Sequence, residues 1–150
     1  MGWSRKISEL LRMKLSIMAI YEIAYSAHFG QFRFDGVTDY IVHPVRVRNR
    51  LKGETLEVQA AALLHDVVED TKVTADDLRA KGVDEVVIEA VTALTHLMDE
   101  SNEDYWARVK ANEIATKVKI ADMIDNLSDG PSKRQMLKYA NCLIYLLGDK

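Results

Sequence analysis

The chemistry-bearing residues of this chain gather in three short stretches. The densest is His65-Asp66-Val67-Val68-Glu69-Asp70. It ends a run that is otherwise apolar, from Leu56 through Ala60-Ala61-Ala62-Leu63-Leu64. If that run is helical, residues four apart share a face, so Glu69 sits beneath His65 and Asp70 beneath Asp66. Carboxylates crowded in this way repel one another and resist burial. A divalent cation held between the two faces removes the repulsion by supplying positive charge. A lone His-Asp dipeptide would read simply as a solvated helix end. Two further stretches change that. Tyr40-Ile41-Val42-His43-Pro44 puts a histidine just before a helix start. Lys119-Ile120-Ala121-Asp122-Met123-Ile124-Asp125-Asn126-Leu127 puts Asp122 and Asn126 on one helical face, with Lys119 on the same side. An aspartate among so many apolar neighbours needs a partner.

These groups must be positioned by helices, because the apolar residues recur at helical spacing and no stretch alternates with period two over a useful length. The first helix is predicted from about Ser8 to His28, apolar over more than one stripe and therefore central. Residues 29–39 read as a loop rich in turn formers. Pro44 is placed at the first position of a second helix through about Leu51. Thr55 caps a third, expected to run unbroken from Leu56 to Asp70. Thr74-Ala75-Asp76-Asp77 matches a capping box and opens a short helix ending at Gly82. Val83 to Leu94 keeps the 3.6 period. Ser101-Asn102-Glu103-Asp104 is a second capping box, starting a helix that breaks before the segment from Ile114 to Leu127. Gly130-Pro131 ends that segment and begins a last helix to about Leu147. The expected fold class is all-α, a helical bundle with residues 1–150 forming one domain.

Composition narrows the function classes. A chain of 150 residues fits one domain with one core. Seven Gly and two Pro are too few for a β-sandwich or barrel. The formal net charge of −3 gives no basic footprint for nucleic acid. Neither a membrane span nor a secretory signal is expected, and Lys6 spoils a myristoylation motif at Met1-Gly2. The single cysteine, Cys142, lies in an apolar run, reads as a buried core thiol and suits a reducing, cytoplasmic compartment. Nothing in the composition fixes an oligomeric state.

The three stretches, with Ala27-His28-Phe29-Gly30-Gln31-Phe32-Arg33, Thr71 after Asp70, and Leu94-Thr95, occur in an order that resembles the HD superfamily. Within it they are most similar to the hydrolase domain of the Rel/SpoT enzymes and to the small alarmone hydrolases. The resemblance runs from about Ala24 to Leu127. It implies a single-domain HD-type bundle in which His43, His65, Asp66 and Asp122 hold one divalent metal, manganese in the family. The ligand types alone suit Mn²⁺, Fe²⁺ or Zn²⁺ equally. It further implies Glu69 and Asp70 in catalysis, with Arg33, Lys119 and Asn126 near a nucleotide. A looser match adds Arg134, Lys138 and Tyr139 from the last helix. The implied reaction is hydrolysis of the 3′-pyrophosphate of ppGpp or pppGpp, a small-molecule nucleotide substrate, to GDP or GTP and pyrophosphate.

The chain departs from the pattern at three places. Phe34 stands where a lysine is usual, Asp39 where a proline is common, and Asp125 where an aromatic residue or histidine is common. The metal set is untouched, and the departures bear on substrate identity. The alternatives are an HD phosphohydrolase acting on an adenosine alarmone, another 2′- or 3′-phosphorylated nucleotide or a nucleoside triphosphate, and a non-catalytic metal- or nucleotide-binding module. Among the remaining candidates, His28 is expected to hold the loop by a hydrogen bond and His96 to lie exposed at a helix end. Arg46, Arg48, Arg50 and Lys52 are expected to form a solvated face, with Arg46 and Arg50 as a secondary candidate for a substrate entrance. Trp3 and Trp106 are expected to be packing residues.

Overall fold

A computed structural model describes residues 15–148, which form helices joined by short turns. The helices are α1 (Ile17–Ala27), α2 (Val42–Arg50), α3 (Leu56–Leu64), α4 (Val67–Asp70), α5 (Ala75–Ala80), α6 (Glu85–Leu94), α7 (Asn102–Lys110), α8 (Glu113–Leu127) and α9 (Lys133–Leu147). Among the described residues the only β pairing is an isolated antiparallel bridge between Phe32 and Asp39. The all-α expectation holds.

The bundle is organised around α3. Every residue from Val58 to Leu64 is buried, and the helix packs against α1, α2, α6 and α8. Ala60, Ala61 and Ala62 make this possible, because a methyl side chain lets neighbouring helices approach closely. Leu63, Leu64, Val47, Val91, Val118 and Met123 fill the space between them, each at most 2% exposed. Burying a side chain of this size contributes roughly 1.5–3 kcal/mol. α1 had been expected to be central. Among the described residues it packs chiefly on α3 and leaves Met18 and Tyr25 exposed.

Helix ends account for the other differences. Ser16 has extended backbone and its hydroxyl accepts from the Ala19 amide, so a helix begins at Ile17 and a continuous helix from Ser8 is excluded. The rest of that expectation, with Leu10 and Leu11, and the one for Trp3, lie outside the described residues. α2 begins two residues before Pro44, which is still in the first turn, where a missing amide proton costs nothing. The predicted helix from Leu56 to Asp70 is interrupted at His65-Asp66, and the chain resumes as the single turn α4. Thr74 and Asp77 form the expected capping box, and Gly82 follows at φ +89°. Ser101 accepts from the Asp104 amide, which is half of the second box. α6 starts at Glu85 after Asp84, α8 is capped by Asn112, and α9 starts one residue beyond Ser132, which makes a reciprocal box with Gln135.

The loop between α1 and α2 is a small hairpin. Arg33 and Tyr40 donate backbone hydrogen bonds to Thr38 and Gln31, and Asp35 accepts from the amides of Val37 and Thr38. The Thr38 hydroxyl, which also donates to Asp35, and then those two amides hold its carboxyl at about 2. Gly36 turns the hairpin at φ +72°, a conformation that side chains with a Cβ rarely adopt. Trp106 packs against Tyr145, and Cys142 is buried, as expected.

Candidate metal centre and active site

Three helix segments converge on one point. α2 brings His43, the turn between α3 and α4 brings His65 and Asp66, and α8 brings Asp122. The ligating atoms of His43, His65 and Asp66 lie within 4.8 Å of one another. Asp122 Oδ1 is 2.9 Å from His43 Nε2 and 3.5 Å from His65 Nε2. The helix interruption at His65-Asp66 is what presents two consecutive side chains to the same point, which a regular helix would spread by about 100°.

The imidazoles are oriented from behind. His65 Nδ1 is 2.7 Å from the Ala62 carbonyl and donates to it, so the Nε2 lone pair faces the centre. That Nε2 is buried and has no hydrogen-bond partner, although Asp66 Oδ2 lies 3.0 Å away. A buried nitrogen lone pair left unpaired, facing two carboxylates and a second imidazole, is the donor set of a divalent cation. On the other side His43 Nδ1 is 2.8 Å from Asp125 Oδ2. His43 and Asp125 are both buried.

The carboxylates are held as firmly. Asp66 accepts from the Tyr40 hydroxyl at 2.7 Å. Asp122 accepts from Lys119 Nζ at 3.0 Å and from Asn126 Nδ2 at 2.9 Å. Lys119 and Asn126, expected near a nucleotide, therefore also grip a candidate ligand. Burial opposes the charge on Asp122, but Lys119 and the two histidines outweigh it and hold its carboxyl well below the usual range. Lys119 responds in kind: burial disfavours its charge, and Asp122 more than restores it. Burial likewise disfavours charge on His65, and Asp66 and Asp122 push it well up, so that without a cation a proton on Nε2 takes the place a divalent ion would fill.

An open cleft of about 640 Å³ lies in front of this centre. Arg33, Phe34, Tyr40, Glu69, Asp70, Lys119, Asn126, Lys138 and Tyr139 line it together with His43, Asp66 and Asp122. Glu69 accepts from the His96 amide at 2.6 Å. Burial raises both Glu69 and Asp70 above ordinary carboxyls, and neighbouring Asp66 adds to it. Arg33 donates to Asn126 and Asp129 and lies with its guanidinium 5.0 Å from the Phe34 ring centre. Arg134 is exposed in the first turn of α9 and does not line the cleft, so the structure does not bring it to the other candidates.

His28 does hold the loop: its Nδ1 is 2.8 Å from Gln31 Oε1, and Gln31 in turn donates to the Asp70 carbonyl. His96 is half-buried rather than exposed, because its ring centre lies 4.7 Å from that of Tyr105 and its Nε2 is 3.1 Å from the Glu100 carbonyl; its backbone amide anchors Glu69. The basic run on α2 is not a simple solvated face. Arg46 and Arg50 both reach Asp125, at 3.0 Å and 3.3 Å. Asp125 and Tyr40 are site residues that sequence reasoning did not assign, and Arg46 and Arg50, the secondary candidate for a substrate entrance, are placed on Asp125. The legible signal was the matching of two helix faces, His43/Arg46/Arg50 on one and Asp122/Asp125 on the other.

No protein-family model matches the chain. Among curated proteins it is 33% identical over 145 residues to the guanosine-3′,5′-bis(diphosphate) 3′-pyrophosphohydrolase of Borreliella burgdorferi, covering 85% of this chain and 21% of that protein. It is 34% identical over 142 residues to the bifunctional (p)ppGpp synthase/hydrolase SpoT of Escherichia coli, covering 83% of this chain and 20% of that protein. The pyrophosphohydrolase of Aquifex aeolicus is 32% identical over 120 residues, 74% of this chain and 17% of that protein. The chain thus spans about a fifth of the length of the curated relatives it matches. A solved structure of a metazoan ortholog of SpoT that hydrolyzes ppGpp superimposes with a TM-score of 0.75 at 24% identity, over 88% of this chain and 85% of that one. At that identity the likeness speaks for the fold.

Proposed function

Because the chain is a Rel/SpoT hydrolase-like HD domain, we propose that it is a metal-dependent phosphohydrolase that removes the 3′-pyrophosphate of guanosine alarmones, releasing GDP or GTP and pyrophosphate. The observation that carries this is the unpaired, buried Nε2 of His65, aimed at the point where His43, Asp66 and Asp122 converge. The proposed ligands are those four residues and the proposed ion is Mn²⁺, acting in the cytoplasm. A divalent ion held there supplies positive charge to phosphate oxygens and acidifies water.

The chain's own residues do the rest. Four carboxylates of the cleft, Asp66, Glu69, Asp70 and Asp122, face three cationic side chains, Arg33, Lys119 and Lys138. A substrate with several phosphate charges is repelled by such a lining until the carboxylates nearest the phosphate are neutralised by a cation. Glu69, raised by burial and aligned by the His96 amide, accepts the proton of the attacking water. Asp70 lies 3.5 Å from the Tyr40 hydroxyl on the same side and orients that water. Arg33, Lys138, Tyr139 and Asn126, which line the same cleft, bind the nucleotide.

The test is pyrophosphate release from ppGpp by purified protein with Mn²⁺, with Asp122→Ala beside it. Manganese-dependent release that the variant lacks is expected. A second reading, the same chemistry on another nucleotide, is favoured by Phe34, whose ring is 78% exposed at the cleft under Arg33. No turnover of ppGpp, with turnover of an adenosine alarmone or another 3′-phosphorylated nucleotide, would replace the first reading by the second.

A further inference from the structure

His43, Arg46 and Arg50 lie three and four residues apart on α2 and present one face to α8. α8 answers with Asp122 and Asp125, and the Ser128 turn follows. Asp125 is fully buried and joins the two helices. Its Oδ2 lies 2.8 Å from His43 Nδ1. Its Oδ1 pairs with Arg46, whose Nε lies 3.0 Å away, and accepts from Arg50 Nη2 at 3.3 Å. Arg50 also donates to Ser128 Oγ, and Arg46 to Asp129, which in turn pairs with Arg33. Both arginine side chains keep about two-fifths of their surface in solvent (39% and 38%).

A buried carboxylate is costly unless it is paired and hydrogen-bonded. Here both oxygens are used, and the two guanidiniums that balance it remain partly hydrated. Both ring nitrogens of His43 face a carboxylate, Asp125 at Nδ1 and Asp122 at Nε2, and a carboxylate only accepts hydrogen bonds. With Asp122 engaged by a metal, the one proton of a neutral ring goes to Nδ1, where Asp125 accepts its hydrogen bond. That leaves the lone pair on Nε2, the atom 2.9 Å from Asp122 and 3.7 Å from Asp66.

We propose that Asp125, balanced by Arg46 and Arg50, is a positioning residue that fixes the tautomer and orientation of His43 for metal binding. The inference rests on the reading of His43 as a metal ligand. Carboxylate support of a ligating histidine raises its basicity, and removing such a partner weakens metal affinity by about 10- to 100-fold. Asp125→Asn keeps the volume but supplies an amide that can donate to Nδ1, which favours the tautomer with its proton on Nε2.

The experiment measures Mn²⁺ affinity and metal-free thermal unfolding for the parent protein, Asp125→Asn and His65→Ala. Asp125→Asn is expected to raise the Mn²⁺ dissociation constant about 10- to 100-fold while remaining folded without metal. His65→Ala is expected to lose the site. If His65→Ala binds Mn²⁺ like the parent, the metal reading itself fails. If His65→Ala loses the metal and Asp125→Asn binds as tightly as the parent, or loses only stability, the positioning role alone is overturned. A second measurement needs no variant at Asp125. In the Zn²⁺-loaded parent protein, imidazole nitrogen resonances should show the His43 proton on Nδ1, and a bare Nδ1 would overturn the proposal.

Discussion

Glu69 and Asp70 sit on a single helical turn directly after the His65-Asp66 pair, and burial raises the pKa of each carboxyl. A base with a raised pKa becomes protonated at a higher pH as the solution is acidified. Its deprotonated form is present above that pKa and is lost as pH falls through it. The acid limb of kcat/KM, measured at saturating Mn²⁺, is therefore expected above the ordinary glutamate value of about 4.3. Glu69→Gln should remove at least about 100-fold of the activity, the usual contribution of a positioned base, and abolish that limb. A limb that persists unchanged in the residual activity would assign it to protonation of the metal ligands and count against Glu69. At this scale the sequence was informative where a polar residue had few other uses. His65, Asp66 and Asp122 stand among apolar neighbours, and the structure brings them together with His43. Asp125 stood out only as a departure from the family pattern, and its role could be read only by matching the faces of two helices far apart in sequence. Its partners His43, Arg46 and Arg50 lie 75 to 82 residues away. Lys119 and Asn126 share the Asp122 face, as their spacing implies, and beside any nucleotide contact each reaches one turn along α8 to Asp122.

At the scale of elements, α8 carries most of the site's second half, and its start is set by Asn112, whose side chain accepts from the Ala115 amide at 2.9 Å. Removing such a cap typically costs about 1 kcal/mol. For a chain of this size Asn112→Ala should lower the melting temperature by about 2–4 °C. Asp122 lies more than two turns further on, so Mn²⁺ affinity at 25 °C should be unchanged, and a tenfold loss would show that the cap and the site are not independent. Helices were legible wherever period and caps agreed, as at Thr55, Thr74 and Gly82. The interruption at His65-Asp66 was not, because Val67 and Val68 continue the apolar pattern and no glycine or proline marks a stop. The His65 side chain bonds locally to the Ala62 carbonyl three residues back, and the Asp66–Tyr40 contact is tertiary; together they override the preference for a longer helix.

Across the whole molecule, the centre is where α2, the α3–α4 turn and α8 meet, so its occupancy bears on global stability. These segments pack directly on one another around the buried alanines of α3. They also bring Asp66 and Asp122 toward the same point, where Lys119 and the two histidines balance Asp122, while Glu69 and Asp70 on α4 carry charge that burial and Asp66 disfavour. A cation that binds the folded state and not the unfolded chain stabilises it by RT ln(1 + [L]/Kd), or about 2.7 kcal/mol at a hundredfold excess over Kd. That corresponds to a rise of about 5–10 °C in melting temperature for a domain of this length. Thermal unfolding with saturating Mn²⁺ and then with excess chelator should show a drop of that size. In His65→Ala the two curves should coincide, because the ligand atom that the fold leaves unpaired is gone. A parent protein that melts at the same temperature with and without chelator would mean that the three segments are held by packing alone, and the four-residue ligand set would fail as the account of why these polar groups are buried together.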